Sequence, residues 1–389
     1  MAEPDPNSMT IPARTWDMPE ERTRVVGDDP GPRAAEAPED RVHCLVVVEG
    51  TEPGRRITLG ASAITIGRVA PANLVLPDVE ISRAHCRIEP SEDDVLVTDL
   101  GSTNGTYIDG RRVHGSAKMT IGAMLRVGRH LLRTELRNRH EVAAAEQIDR
   151  DLAAARSYVE SLLPARLARG PVRTEWLFEP SARVGGDVLG YYPIDDDHFA
   201  LYLLDVAGHG AGAALHAASV TNILRNQALP RADMRRPEQV LSGLNALFPM
   251  GEHGDMYFTA WYGVYVGATR ELRYCSGGHH PGYLVGPERS RTHALRTPNL
   301  PVGVRRGYDY RAGEIAVEPG SMLYLFSDGV YEVECADGRR YDLDDFLPLL
   351  LAPANQPWPE PDRLVGEVRR VTGRNTFDDD LTLLVATFP

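Results

Sequence analysis

Long apolar runs are missing from this 389-residue chain, and several function classes are excluded with them. No stretch approaches the roughly 18 apolar residues that a membrane span requires. The opening MAEPDPNSMTIPARTW lacks the apolar core of a secretory signal. Cysteine is scarce. Cys44, Cys86, Cys275 and Cys335 lie far apart and form no C-x-x-C pair, which argues against a disulfide framework or a zinc site. No G-x-G-x-x-G string follows a strand and opens a helix, so a dinucleotide enzyme is not indicated. Positive charge is also short, with 42 Lys and Arg against 55 Asp and Glu, a formal net charge of −13. That balance argues against a sequence-independent nucleic-acid binder. These absences point to a cytoplasmic protein with neither a membrane nor a nucleic acid as partner.

What is present suits a globular protein of more than one domain, with 42% hydrophobic and 25% charged residues. Residues 1–40 are rich in Pro, Glu, Asp and Arg, bury too little to offset their ordering entropy, and are expected to be disordered. Short β-branched runs punctuated by Glu49-Gly50, Pro77-Asp78, Asn104-Gly105 and Asp109-Gly110 predict an all-β sandwich over 43–137. Residues 138–167 form a linker with no Gly and no Pro before Pro164. Its apolar positions Ala145, Ile148, Leu152, Ala155, Val159 and Leu162 follow heptad spacing. Two readings stay open there: a coiled coil that would pair two copies of the chain, and a single helix packed on a neighbouring domain. Residues 168–389 mix strands and helices in the order of an α+β domain. The fold class is therefore multidomain.

Ile64-Thr-Ile-Gly-Arg68, Ile81-Ser82-Arg83-Ala-His85 and Asp99-Leu-Gly-Ser-Thr103-Asn104-Gly105-Thr106 are phosphate-reader chemistry in order. A phosphothreonine carries about −1.5 to −2 charges on three strong acceptor oxygens, so its reader needs clustered donors. Arg68 supplies a permanent fork of them, and Ser82 and Thr103 supply hydroxyls. Together these strings resemble a forkhead-associated (FHA) domain. The resemblance implies that Arg68, Ser82, Arg83, Thr103 and Asn104 bind phosphothreonine. It also implies that Asn104 orients the ligand backbone while Gly67 and His85 shape the loops from within.

The second half carries Val184-Gly-Gly-Asp187, Leu204-Asp205-Val-Ala-Gly-His-Gly210, Phe326-Ser-Asp328-Gly329 and Asp378-Asp379-Asp380-Leu-Thr382. Aspartates that interrupt apolar runs are rarely buried without compensation. Two carboxylates ~4 Å apart repel by roughly 4 kcal/mol at an effective dielectric near 20. Converging ones therefore call for hard divalent cations.

This ordered set resembles the SpoIIE-type branch of the metal-dependent (PPM) serine/threonine phosphatases, built as an αββα sandwich. The resemblance implies two Mn²⁺ or Mg²⁺ ions with the catalytic Asp205 bridging both. Asp187 and the main-chain carbonyl of Val206 would lie on one side, Asp328 and Asp379 on the other. The run 378–380 leaves the register of its ligand open by one residue. Gly190 stands where many such proteins carry a second aspartate, which bears on a secondary metal site and not on the central pair. Gly208-His209-Gly210 reads as a helix start, His279-His280-Pro281 as a strand turn, and Asp195-Asp196-Asp197 as a hairpin tip.

The expected protein is a serine/threonine phosphatase of bacterial signalling that also binds phosphothreonine partners. Its implied partners are a serine/threonine kinase and phosphorylated proteins such as an anti-sigma-factor antagonist. Thr23, followed by Val26 at its third position, is a candidate internal ligand for the FHA module. The competing class is an inactive phosphatase-like scaffold, against which the retention of Asp187, Asp205, Asp328 and Asp379 speaks.

Overall fold

The computed structural model describes residues 41–51, 53–91, 93–180, 185–208, 210–251, 256–353, 359–374, 377 and 379–389. The expected disordered tail 1–40, with Thr23, and the expectations for His209 and Asp378 lie outside them. The chain divides into two compact units, Met1–Val142 and Ala143–Pro389.

The first unit is a β sandwich. A six-stranded sheet and a five-stranded sheet face each other across an apolar core. Alternation drives this arrangement. In Asp94–Asp99, Val95 and Val97 point inward, and in Met124–Val127 so do Leu125 and Val127. The strand Arg41–Glu49 reads instead as a continuous apolar run. It pairs antiparallel with His130–Asn138, and Val142 covers Val42 and Cys44 in a small cluster apart from the main core.

Helix α1 (Arg139–Ser161) begins where the side-chain carbonyl of Asn138 accepts the backbone N–H groups of His140 and Glu141 at 2.8 and 3.4 Å. Leu152, Ala155 and Val159 then pack against the core of the second unit. Leu162, the last of the heptad positions, is buried, while Ala145 and Ile148 are exposed.

The second unit has four layers. One antiparallel sheet orders its strands Val188–Pro193, His198–Val206, Phe258–Val266, Glu271–Gly277 and Gly313–Ala316. The other orders Arg173–Glu179, Leu381–Thr387, Met322–Phe326, Gly282–Val285 and Thr292–Leu295. Leu189, Leu201, Leu203 and Trp261 of the first sheet meet Leu325, Leu384 and Ala386 of the second. Helices α2 (Ala211–Arg225) and α3 (Pro237–Leu247) cover the outer face of the first sheet. Helices α4 (Leu343–Leu351) and α5 (Glu360–Thr372) cover that of the second. Asp342 caps α4 by accepting the N–H groups of Asp344 and Asp345. No helix among the described residues is long and apolar enough to cross a membrane.

Candidate functional site

Strand register brings the aspartates together. Val188 pairs with Leu204, so Asp187, one residue earlier, falls beside Asp205 at the end of His198–Val206. In the other sheet Phe326 pairs with Leu383, and the backbone N–H of Ser327 continues the ladder to the carbonyl of Thr382 at 2.9 Å. Asp328 and the pair Asp379–Asp380 therefore flank neighbouring strand ends. Each sheet thus presents carboxylates at an end of adjacent strands, and the packing of the sheets brings the two sets within electrostatic reach.

Three loops close on this point so tightly that only glycine fits. A β-carbon on Gly186 would stand 2.6 Å from the carbonyl oxygen of Val206. One on Gly185 would stand 1.7 Å from Oδ2 of Asp380, and one on Gly329 would stand 2.1 Å from the Asp380 carbonyl oxygen. Space decides here, since none of the three has a positive φ. Gly208 and Gly210 precede α2. Both have positive φ with open space around the missing β-carbon, and Gly210 caps α2.

The electrostatics report the crowding. Burial, then the charges of Asp328, Asp379 and Asp380, push the Asp205 carboxyl up to about 7. Burial and Asp205 hold Asp187 well above the usual carboxylate range, an effect partly offset by the hydroxyls of Ser327 and Thr382. Asp328 is raised by burial, Asp379 and Glu332. Oδ2 of Asp187 is buried without a hydrogen-bond partner. An unmet buried acceptor, converging carboxylates and the closely framed Val206 carbonyl make a hard-oxygen donor set, and it fits a divalent cation. Among the described residues no three or more Asp, Glu, His or Cys side chains are placed closely enough to hold a metal ion by themselves.

The structure distinguishes members of the aspartate run and gives a place to residues that the motif reading left without a role. Asp380 is buried in the cluster whereas Asp379 is exposed. The Ser327 hydroxyl donates to the Asp380 carbonyl at 3.1 Å and accepts the Thr382 N–H at 3.1 Å. His280, placed in a turn by its sequence, does more: its Nε2 meets the Phe326 carbonyl two residues before Asp328, and its ring packs at a tilt against Phe326 and edge-on against Tyr331. Arg374 lines a small pocket with Asp379, Gly329 and Glu332. A larger cavity of about 730 Å³ is lined by His198, Asp233, Arg235, Arg236 and Arg273. It lies at the opposite end of His198–Val206 from Asp205, and those three arginines are matched by Asp233, Glu238 and Glu271. Gly190 pairs with Tyr202, and a β-carbon there would stand 2.1 Å from that ring, so an aspartate is sterically excluded.

In the first unit, Arg68 follows the strand Ile64–Gly67, and its N–H donates to the Ser82 carbonyl at 3.0 Å. The Ser82 hydroxyl accepts the Thr103 N–H at 3.1 Å and lies 3.4 Å from the Thr103 hydroxyl. Asn104 donates from Nδ2 to the Glu80 carbonyl at 2.8 Å. Fully buried His85 ties the two loops, with Nδ1 accepting the Ser82 N–H and Nε2 meeting the Gly105 carbonyl. Asp99 anchors the second loop by accepting from the backbone of Gly101 and Ser102 and from the hydroxyls of Ser102 and Thr106. Those hydrogen bonds outweigh its desolvation and lower its pKa to about 2. Arg68 and Arg83 have no carboxylate partner among the described residues.

Two packed sheets flanked by helices, with acids at the strand ends, define a phosphatase domain of the PP2C-like fold, here joined to an FHA sandwich. The SpoIIE-PP2C likeness extends to whole-family sequence: the profile of Stage II sporulation protein E (SpoIIE) matches residues 195–389, and that of the FHA domain matches 64–128. The chain belongs to the SpoIIE family.

Phosphoserine phosphatase RsbU of Bacillus subtilis is 29% identical over 170 residues, covering 43% of this chain and 50% of that protein. FHA domain-containing protein FhaB of Mycolicibacterium smegmatis is 46% identical over 88 residues, covering 23% of this chain and 57% of that one. The chain spans about half the length of these curated relatives. The SiaA-PP2C domain of Pseudomonas aeruginosa superposes with a TM-score of 0.55 at 22% identity, over 64% of this chain and 99% of that domain.

Proposed function

We propose that this chain is a metal-dependent protein serine/threonine phosphatase of bacterial signalling whose FHA domain binds phosphothreonine partners. The observation that carries the reading is the burial of mutually repelling carboxylates, with Asp205 pushed up to about 7. Such an arrangement is costly unless cations occupy it. Asp187, Asp205, Asp328, Asp379 and the Val206 carbonyl would hold two Mn²⁺ or Mg²⁺ ions, with Asp205 at the centre of the set. Such ions supply a water that ionises near neutral pH, together with charge neutralisation on the phosphoryl group.

The protein's part is to hold these oxygens in place. Gly185, Gly186 and Gly329 let the three loops approach, while Ser327 fixes the turn of Asp380. In the FHA domain Arg68, Ser82, Arg83, Thr103 and Asn104 would surround the phosphoryl group with donors. The likeness to a phosphoserine phosphatase supports phosphoserine or phosphothreonine in a regulatory protein, such as an anti-sigma-factor antagonist, as substrate. A kinase must then supply both the substrate and the FHA ligand. An inactive scaffold would be expected to have lost at least one of Asp187, Asp205, Asp328 and Asp379.

The test is hydrolysis of an aryl phosphate and of phosphopeptides with Mn²⁺, with excess chelator, and in Asp205→Ala. Turnover should need the metal and should fall by more than a hundredfold in the variant, on the order of what loss of a central electrostatic group costs. Calorimetry should also find weaker Mn²⁺ binding in Asp205→Ala. Full activity in chelator or in the variant would overturn the reading.

A further inference from the structure

Next to the phosphothreonine loops lies a row of side chains that the reading above does not use. Register sets it out: Arg112 pairs with Tyr107 across one strand boundary, and Tyr107 pairs with Arg126 across the next. The row starts at the recognition turn itself. Gly105 has φ +83, and a β-carbon on it would stand 2.8 Å from Nε of Arg112. The backbone angle favours glycine, and the Arg112 guanidinium lies close against it. At the other end, the guanidinium of Arg126 lies 4.0 Å from the centre of the Tyr107 ring.

Stacking of this kind holds the arginine by one face and leaves its edge N–H groups available. Both arginines are exposed, and neither has a carboxylate partner among the described residues. Three other strand arginines of this unit differ in this respect: Arg87, Arg133 and Arg137 each have a glutamate within 3.2 Å. Contacts run unbroken from Arg68 through Ser82, Thr103 and Asn104 to Gly105 and Arg112.

We infer that Arg112, Tyr107 and Arg126 form a second subsite that takes a further negative charge on the same phosphothreonine ligand. The inference rests on the FHA reading and deepens it. A fork of fixed N–H donors suits a carboxylate or a phosphoryl group equally, so an acidic side chain and a second phosphorylated residue share the chemistry.

The experiment measures, by calorimetry on the full chain, a phosphothreonine peptide with alanine flanks. In its companions a single glutamate is walked from four residues before to four after the phosphothreonine. A parallel set carries phosphoserine in place of glutamate at each of the same positions. The proteins are the wild type, the double variant Arg112→Gln/Arg126→Gln, and Arg68→Ala. At one position or more, glutamate should tighten binding by roughly threefold to fivefold, the scale of an exposed ion pair, and phosphoserine by more. The double variant should lose that gain while keeping wild-type affinity for the plain peptide, which also reports that it is folded. A phosphoserine gain without a glutamate gain assigns the subsite to a second phosphate; a glutamate gain of equal size assigns it to acidic side chains. A gain at no position, or one that survives in the double variant, overturns the subsite and leaves the FHA reading standing. If the plain peptide does not bind the wild type, or binds Arg68→Ala as well, the FHA reading fails and the subsite with it.

Discussion

Asp205 sits one residue from the end of its strand, where alternation and burial would suit a leucine and electrostatics permit a carboxylate only with help. Its pKa of about 7 sets a pH dependence with a definite sign. Between the ordinary aspartate value of about 3.9 and that value, the folded metal-free protein holds a proton that the unfolded chain has released. Stability must therefore fall as pH rises through this window. Cations reverse the trend, because they compete with that proton for the same oxygens. Melting in chelator should be higher at pH 5 than at pH 8, the stabilisation by Mn²⁺ should be larger at pH 8, and Asp205→Asn should flatten the metal-free slope. A metal-free melting temperature that climbs from pH 5 to pH 8 would contradict the assignment.

His280 makes a second case at this scale. Burial lowers its pKa to about 4, so the ring is neutral at working pH and has one N–H to give. Nδ1 lies 3.0 Å from the Pro281 carbonyl and Nε2 faces the Phe326 carbonyl. Donation to Phe326 would steady the turn that carries Asp328, which makes His280 a positioning residue. His280→Ala should raise the Mn²⁺ concentration needed for half activity about tenfold, within the range found for groups that orient metal ligands, and leave KM for peptide unchanged. His280→Gln should recover part of the loss. An unchanged Mn²⁺ requirement in His280→Ala would remove it from the site. Asp187, Asp205 and Asp328 are legible in the sequence because each breaks an apolar run. The run 378–380 leaves its register open, and His280 is not legible, since its role depends on Phe326, a partner far along the chain.

At the scale of elements, strands with long apolar runs are visible in the sequence and their ends fall close to the structure. His198–Val206, Phe258–Val266, Met322–Phe326 and Leu381–Thr387 are of this kind. Gly282–Val285, Thr292–Leu295 and Gly313–Ala316 are too short to announce themselves, and their pairing comes from the sheets around them. Helices α3 and α5 open on or near proline, Pro237 and Pro361, which reads as a break until the first turn is seen to tolerate it. Helix α1 shows a pattern with two meanings. Leu152, Ala155, Val159 and Leu162 are engaged or buried, which leaves Ala145 and Ile148 as the exposed remainder of the heptad seam. Two positions fall short of the three to four heptads that sustain a coiled coil. Val159→Ala should therefore cost about 1 to 3 kcal/mol in equilibrium unfolding, while Ile148→Glu should change neither stability nor sedimentation. A drop in mass on sedimentation of Ile148→Glu would establish pairing of two copies through this helix.

For the whole molecule, the main consequence of the proposed function is that its two phosphate-directed sites draw on separate sets of residues in separate compact units. The chemistry also divides. Permanent guanidinium charge and hydroxyls at Arg68, Ser82 and Thr103 suit holding a phosphoryl group at equilibrium. Buried acids that need cations suit a site for breaking the bond. If this division is correct, each function should fail alone. Arg68→Ala removes a charge-assisted hydrogen bond worth roughly 1.5 to 3 kcal/mol, so affinity for a phosphothreonine peptide should fall about tenfold or more. Its turnover of a small aryl phosphate, which needs no docking, should stay within twofold of wild type. Asp205→Ala should show the reverse, with peptide affinity intact and turnover lost. On a phosphoprotein that carries both an FHA ligand and a substrate phosphate, Arg68→Ala should raise KM and leave kcat in place, because recruitment enters only through the encounter. Equal loss of kcat on aryl phosphate and phosphoprotein in Arg68→Ala would instead mean that the FHA site controls the chemical step, and the two functions would then have to be treated as one coupled device.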